Sequence, residues 1–132
     1  MLKREGKEWV ANLERADPDG DRCVLGVRDG NFKPVSGVRS FASLEVGETV
    51  YTLGSPSGFD LSLASGVLSG RREENARKYV QTTAPISPGS SGGGLFDARG
   101  NLIGITTLVV VGRDRINQSL NFAIPAESFW QP

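Results

Sequence analysis

Short runs of alternating apolar and polar residues, repeatedly broken by glycine and proline, dominate this 132-residue chain. Trp9, Ala11 and Leu13 alternate with polar positions across Glu8 to Arg15, and a second apolar run covers Arg22 to Val27. A period of two marks a strand with one buried face. The intervening Asp17-Pro18-Asp19-Gly20 has turn chemistry, so the pair predicts a hairpin. From Arg28 to Val46 the apolar pieces shorten, and Asp29-Gly30 and Lys33-Pro34 mark turns, which predicts a loop-rich connection. Six further strands are predicted near Thr49 to Gly54, Ser62 to Ser69, Tyr79 to Thr83, Gly94 to Asp97, Leu102 to Val111 and Leu120 to Ile124. In the last of these, Leu120, Phe122 and Ile124 alternate with Asn121 and Ala123, while Asp97-Ala98-Arg99-Gly100-Asn101 suits a tight hairpin loop. The mixed-sign run Arg71 to Lys78 predicts a solvated loop, and Pro125-Ala126-Glu127-Ser128-Phe129-Trp130 predicts the start of a helix. No long helical period interrupts this pattern. The class is therefore all-β, and six short strands suffice to close a small antiparallel barrel.

Composition narrows what such a barrel does. Fifteen basic and fifteen acidic residues cancel, which gives no long-range attraction to nucleic acid or to an anionic membrane surface. No apolar run is long enough for a helical membrane span, and the N-terminal residues Met1 to Lys7 are charged where a signal peptide needs an apolar stretch, so the compartment stays open. The single cysteine, Cys23, stands beside Val24 and Leu25 and reads as a buried small hydrophobe. With no histidine and one cysteine, neither a metal site nor a cofactor is expected.

Ser87-Pro88-Gly89-Ser90-Ser91-Gly92-Gly93-Gly94-Leu95 is the most informative stretch, a serine among glycines between two predicted strands. Acyl transfer through serine needs a hydroxyl projected from a tight turn and backbone N–H groups aimed at the developing oxyanion, and glycine permits both. By itself the segment suits a plain structural turn better than a catalytic one.

The wider stretch Gln81 to Leu95 resembles the nucleophile segment of trypsin-like serine proteases, especially the bacterial HtrA/DegP-type branch. The order of its flanks agrees: Gly54-Ser55-Pro56-Ser57-Gly58, Ala64-Ser65-Gly66-Val67-Leu68-Ser69, Gly100-Asn101-Leu102-Ile103-Gly104-Ile105 and Asn121-Phe122-Ala123-Ile124-Pro125. Upstream, Ala16 to Leu25 resembles the branch's aspartate segment, although Arg22-Cys23 stands where two apolar residues are usual. The resemblance implies a trypsin-like antiparallel β-barrel over residues 46–125, preceded over 1–45 by the last strands of an N-terminal barrel and a linker, and followed over 126–132 by a helix start or tail. It also implies Ser91 as nucleophile, an oxyanion hole from the N–H groups of Gly89 and Ser91, and Asp21 as the carboxylate that orients the base. Pro85 falls at the pocket-base position six residues before the nucleophile, which favours a small or medium apolar side chain there. Thr106-Thr107-Leu108 falls where the family pairs the backbone of a peptide or unfolded-protein substrate as an added strand, and Thr106 is expected to hydrogen-bond Asp21.

The same family places its histidine farther upstream than the twenty residues before Asp21, so the chain reads as an N-terminally truncated domain. Without that base, negligible turnover is expected. Lys33 and Lys78, the nearest candidate replacements in sequence, read as solvated surface residues. Two functions remain open: a serine endopeptidase domain incomplete in this chain, and a non-catalytic peptide-binding module on the same fold. Open strand edges in the N-terminal part predict homo-oligomers.

Overall fold

The computed structural model describes residues 2–4, 6–18, 22–54, 61–74, 76–86, 91–111 and 118–129. The chain divides into two compact units, Met1–Pro34 and Val35–Pro132. The first holds two antiparallel hairpins: β1 (Leu2–Arg4) with β2 (Lys7–Trp9), and β3 (Ala11–Asp17) with β4 (Arg22–Val27). The single strand expected over Glu8 to Arg15 is therefore two, broken at Val10, because the residues before it form a hairpin of their own. Within this unit Trp9 and Phe32 pack edge to face at 5.1 Å between ring centroids. Cys23 is exposed, contrary to its apolar setting in sequence, since alternate side chains of a two-stranded sheet lie on opposite faces.

In the second unit, β5 (Thr49–Gly54), β6 (Ser62–Glu74), β7 (Arg77–Thr82), β8 (Gly94–Asp97), β9 (Leu102–Val111) and β10 (Gln118–Pro125) close a six-stranded antiparallel barrel in the order β10-β7-β6-β5-β8-β9. All six predicted strands are present. Alternation along them turns Val50, Leu68, Val80, Leu95 and Ile103 into a common core with Leu44, Ala84 and Ala123. Burying a side chain of this size stabilises by roughly 1.5–3 kcal/mol. Leu95 and Ile103 are wholly inaccessible. Gly104 lies opposite Pro125 in the β9–β10 ladder, and a Cβ there would come within 2.6 Å of the Ile124 carbonyl oxygen, so the close strand approach requires glycine.

The charged run is not a loop. Arg71 to Glu74 extend β6, Arg77 and Lys78 begin β7, and Glu73 faces Lys78 across the ladder. Placing opposite charges in direct register favours the pairing. Phe41, in a 3₁₀ turn over Phe41–Ser43, packs against the core and receives Arg71 and Lys78 over its ring at 5.9 and 5.5 Å. The expected helix start takes the form of a short 3₁₀ segment. Pro125 ends β10, and Ala126–Phe129 form a single 3₁₀ turn whose Glu127 carboxylate accepts the Phe41 N–H at 3.0 Å.

Candidate active site

Ser91 lies exposed in the turn that opens β8. Gly92 has φ +94°, a left-handed conformation that glycine adopts without steric cost. The Gly92 N–H donates to the Thr106 carbonyl at 2.8 Å, and the Thr106 N–H returns a bond of 2.8 Å to the Gly93 carbonyl. Thr106, only 3% exposed, adds its Oγ1 to the same carbonyl at 3.2 Å. These bonds prolong the β8–β9 ladder, whose first strand pair is Gly94 with Ile105. The residue after Ser91 is thereby fastened to the barrel while the serine stays open to solvent. A tight turn holding a serine on a hydrogen-bonded sheet is the mounting a nucleophilic hydroxyl requires.

The segment leading towards Ser91 is held just as tightly. Thr82 Oγ1 donates to the Val67 carbonyl at 2.9 Å and accepts the Ala84 N–H at 3.0 Å. Thr83 pairs with Val67 twice, through its N–H at 3.0 Å and by accepting the Val67 N–H on Oγ1 at 2.9 Å. Gly66 lies against Ala84 so closely that a Cβ would fall 2.6 Å from the Ala84 Cα. From β10, Asn121 Nδ2 donates to the Ala84 carbonyl at 3.0 Å. Pro85 follows, exposed, and Ile86 is buried at 8% exposure.

The structure thus joins Thr106 to the turn of Ser91 and anchors the residue before Pro85. Thr107 is buried opposite Phe122, and Leu108 pairs with Asn121 through the backbone. Asp21 and Gly89 lie outside the described residues, as does the rest of 87–90. Among the described residues no cluster of three or more histidine, cysteine, aspartate or glutamate side chains could hold a metal.

A second polar centre, unmarked in the sequence, gathers around Arg39. Arg39 Nη1 donates to Glu48 Oε1 at 3.0 Å and to Asp97 Oδ2 at 3.1 Å, Nη2 donates to the Ser43 carbonyl at 2.8 Å, and Nε donates to Ser43 Oγ at 3.1 Å. Asp97, 6% exposed, also accepts the N–H groups of Arg99 and Asn101, each at 2.9 Å, and Asn101 Nδ2 at 3.1 Å. Burial pushes its carboxyl up, but the bonds from Asn101, Arg39 and Arg99 together outweigh that and hold it below its ordinary value. Glu48 first and Asp97 second raise the pKa of the Arg39 guanidinium. A parallel bridge between Val38 and Leu102 fixes the same segment to the barrel. The turn chemistry of Asp97 was readable in Asp97-Ala98-Arg99-Gly100-Asn101, whereas nothing in sequence marked Arg39 as its partner.

A family model described as "Trypsin-like peptidase domain" matches residues 2–105. The chain is 36% identical over 124 residues to a probable periplasmic serine endoprotease DegP-like of Ectopseudomonas mendocina, covering 91% of this chain and 26% of that protein. A protein of the same description from Pseudomonas putida is 38% identical over 124 residues, again with 91% and 26% covered. The chain spans about a quarter of the length of these curated relatives, 26% in each case. Among solved structures, the HtrA-type protease AlgW with decapeptide superposes at a TM-score of 0.80 with 32% identity, covering 95% of this chain and 39% of AlgW. Deg5 superposes at 0.73 with 31% identity, covering 91% of this chain and 57% of Deg5. With its motifs in order, its barrel closed and its serine mounted on β8, the chain belongs to the trypsin-like peptidase family, in the HtrA/DegP-type branch.

Proposed function

We propose that this chain supplies the nucleophile-bearing barrel of a serine endopeptidase. The observation that carries the reading is the two-way ladder between Gly92–Gly93 and Thr106, which holds Ser91 exposed at the mouth of β8. In the reaction, Ser91 Oγ attacks the carbonyl carbon of a peptide bond and its proton passes to a base. The N–H groups of Gly89 and Ser91 stabilise the oxyanion, and the amine leaves with that proton. Water then cleaves the acyl-enzyme. Asp21 orients the base, and the backbone of Thr106–Leu108 pairs an extended peptide as an added strand. Pro85 gives the pocket no anionic support, which favours an uncharged side chain. The solved AlgW structures contain a decapeptide and a tripeptide, in keeping with a peptide as ligand here.

The chain contains no histidine. Loss of one triad member removes most of the rate and leaves a residue of oxyanion stabilisation, so these 132 residues alone turn over negligibly. The same absence favours a second reading, a module that binds extended peptides without cutting them. Joining the histidine-bearing barrel of a DegP-like relative to this chain separates the two. Cleavage of an unfolded protein by the fusion, abolished by S91A, establishes the peptidase. Peptide binding with no cleavage establishes the binding module.

A further inference from the structure

Residues 35–40 open the second unit as a strap laid against the start of β9. The Arg39 N–H donates to the Leu102 carbonyl at 2.9 Å, and the Leu102 N–H donates to the Gly37 carbonyl at 2.8 Å. Val35, Ser36, Val38 and Ser40 are exposed, so only Gly37 and Arg39 turn inward. Gly37 lies so near Asn101 that a Cβ would fall 2.5 Å from Asn101 Oδ1. The strap therefore buries no apolar side chain. The next residue does: Phe41 packs against the core and donates its N–H to Glu127.

Beyond those two backbone bonds, the Arg39 guanidinium holds the strap. Its five N–H groups are all used: Nε and Nη2 donate to Ser43, Nη1 and Nη2 to the two Glu48 carboxylate oxygens, and Nη1 to Asp97. One side chain thus ties the strap to the 3₁₀ turn, to the approach to β5 and to the end of β8. Charge-assisted bonds of this kind are the strong ones. Arg39, Glu48, Asp97 and the exposed Arg99 also line an open recess of about 530 Å³, through which water can take over these bonds when the guanidinium leaves. A segment with few bonds and no apolar burial opens at a lower free energy than the core beneath it.

We infer that residues 35–40 form a latch with Arg39 as its clasp: the strap leaves and rejoins the barrel as one piece, hinged at Phe41, while the barrel stays folded. Release frees six residues of chain, 35–40, between Met1–Pro34 and the barrel. At full extension they lengthen the tether by about 20 Å.

Amide hydrogen exchange of the 132-residue chain at neutral pH, read by ¹⁵N NMR, tests the latch. The Arg39 and Leu102 amides bond across the contact between strap and barrel, whereas the Thr83 and Thr106 amides bond within the barrel, to Val67 and Gly93. After correction for intrinsic rates, positions 39 and 102 are expected to share one opening rate, about tenfold or more above that of 83 and 106. R39M should speed exchange at 39 and 102 by a further tenfold or so and leave 83 and 106 unchanged. R39K, which keeps the charge and loses the planar fork, should speed the same pair by a smaller factor, and it decides the matter if R39M does not fold. The latch is overturned if 39 and 102 exchange no faster than 83 and 106 in the parent, or if the folded variant moves all four positions alike or none of them.

Discussion

A carboxylate only 6% exposed is tolerated at Asp97 because four hydrogen-bond donors converge on it. Its folded pKa lies below its reference value of 3.8, so its stabilising contribution is complete above about pH 3.8 and is lost as pH falls through the lower, folded value. Acid unfolding of D97N should accordingly show a shallower pH dependence in this range. The substitution should also cost roughly 1–3 kcal/mol at neutral pH in urea titrations, since an amide cannot accept all these bonds. Thr106 offers a finer test. T106V keeps the shape but loses the bond to the Gly93 carbonyl, for an expected loss of about 1 kcal/mol. If that bond steadies the turn of Ser91, the amide signals of Gly92 and Gly93 should broaden in the variant. The serine and its glycines were legible from residue type because the turn itself demands them. Arg39 was not, because its partner Asp97 lies 58 positions away and only barrel closure brings them together.

Strands were legible wherever one face is buried and the other is wet, since the period of two is then written into the residues. The charged hairpin of β6 and β7 escaped that reading because its side chains are largely exposed and its strand character comes from cross-strand register. Close approaches between elements left a different mark, glycine in mid-strand. Gly66 lies against the backbone of Ala84, so G66A must displace either β6 or the segment before Pro85. We expect a loss of about 1–3 kcal/mol by denaturant unfolding, the usual cost of overpacking. If Ser91 is the nucleophile, peptide binding should weaken as well, because Thr82 and Asn121 hold Ala84 in the segment that leads towards the serine turn.

For the molecule as a whole, the barrel of Val35–Pro132 has its own core, whereas Met1–Pro34 consists of two-stranded sheets that leave Val10 at 69%, Leu13 at 63% and Leu25 at 45% exposure. Isolated hairpins are marginally stable, and their open edges and apolar side chains favour pairing with another chain. We therefore propose association through the N-terminal hairpins, expected as a rise in weight-average mass across the micromolar range in light scattering. A strictly monomeric sample would exclude it, and V10K with L13K should suppress it without unfolding the barrel. The sequence by itself determined the all-β class, the six barrel strands and the glycine-rich serine turn, because each is written in local periodicity or in backbone demands on single residues. Tertiary structure alone decided which carbonyls Thr106 and Asn121 hold, how Arg39 meets Asp97, and that Gly66 must stay bare beneath Ala84. Each of those depends on the register at which distant strands pair, and register is settled by how the closed barrel packs.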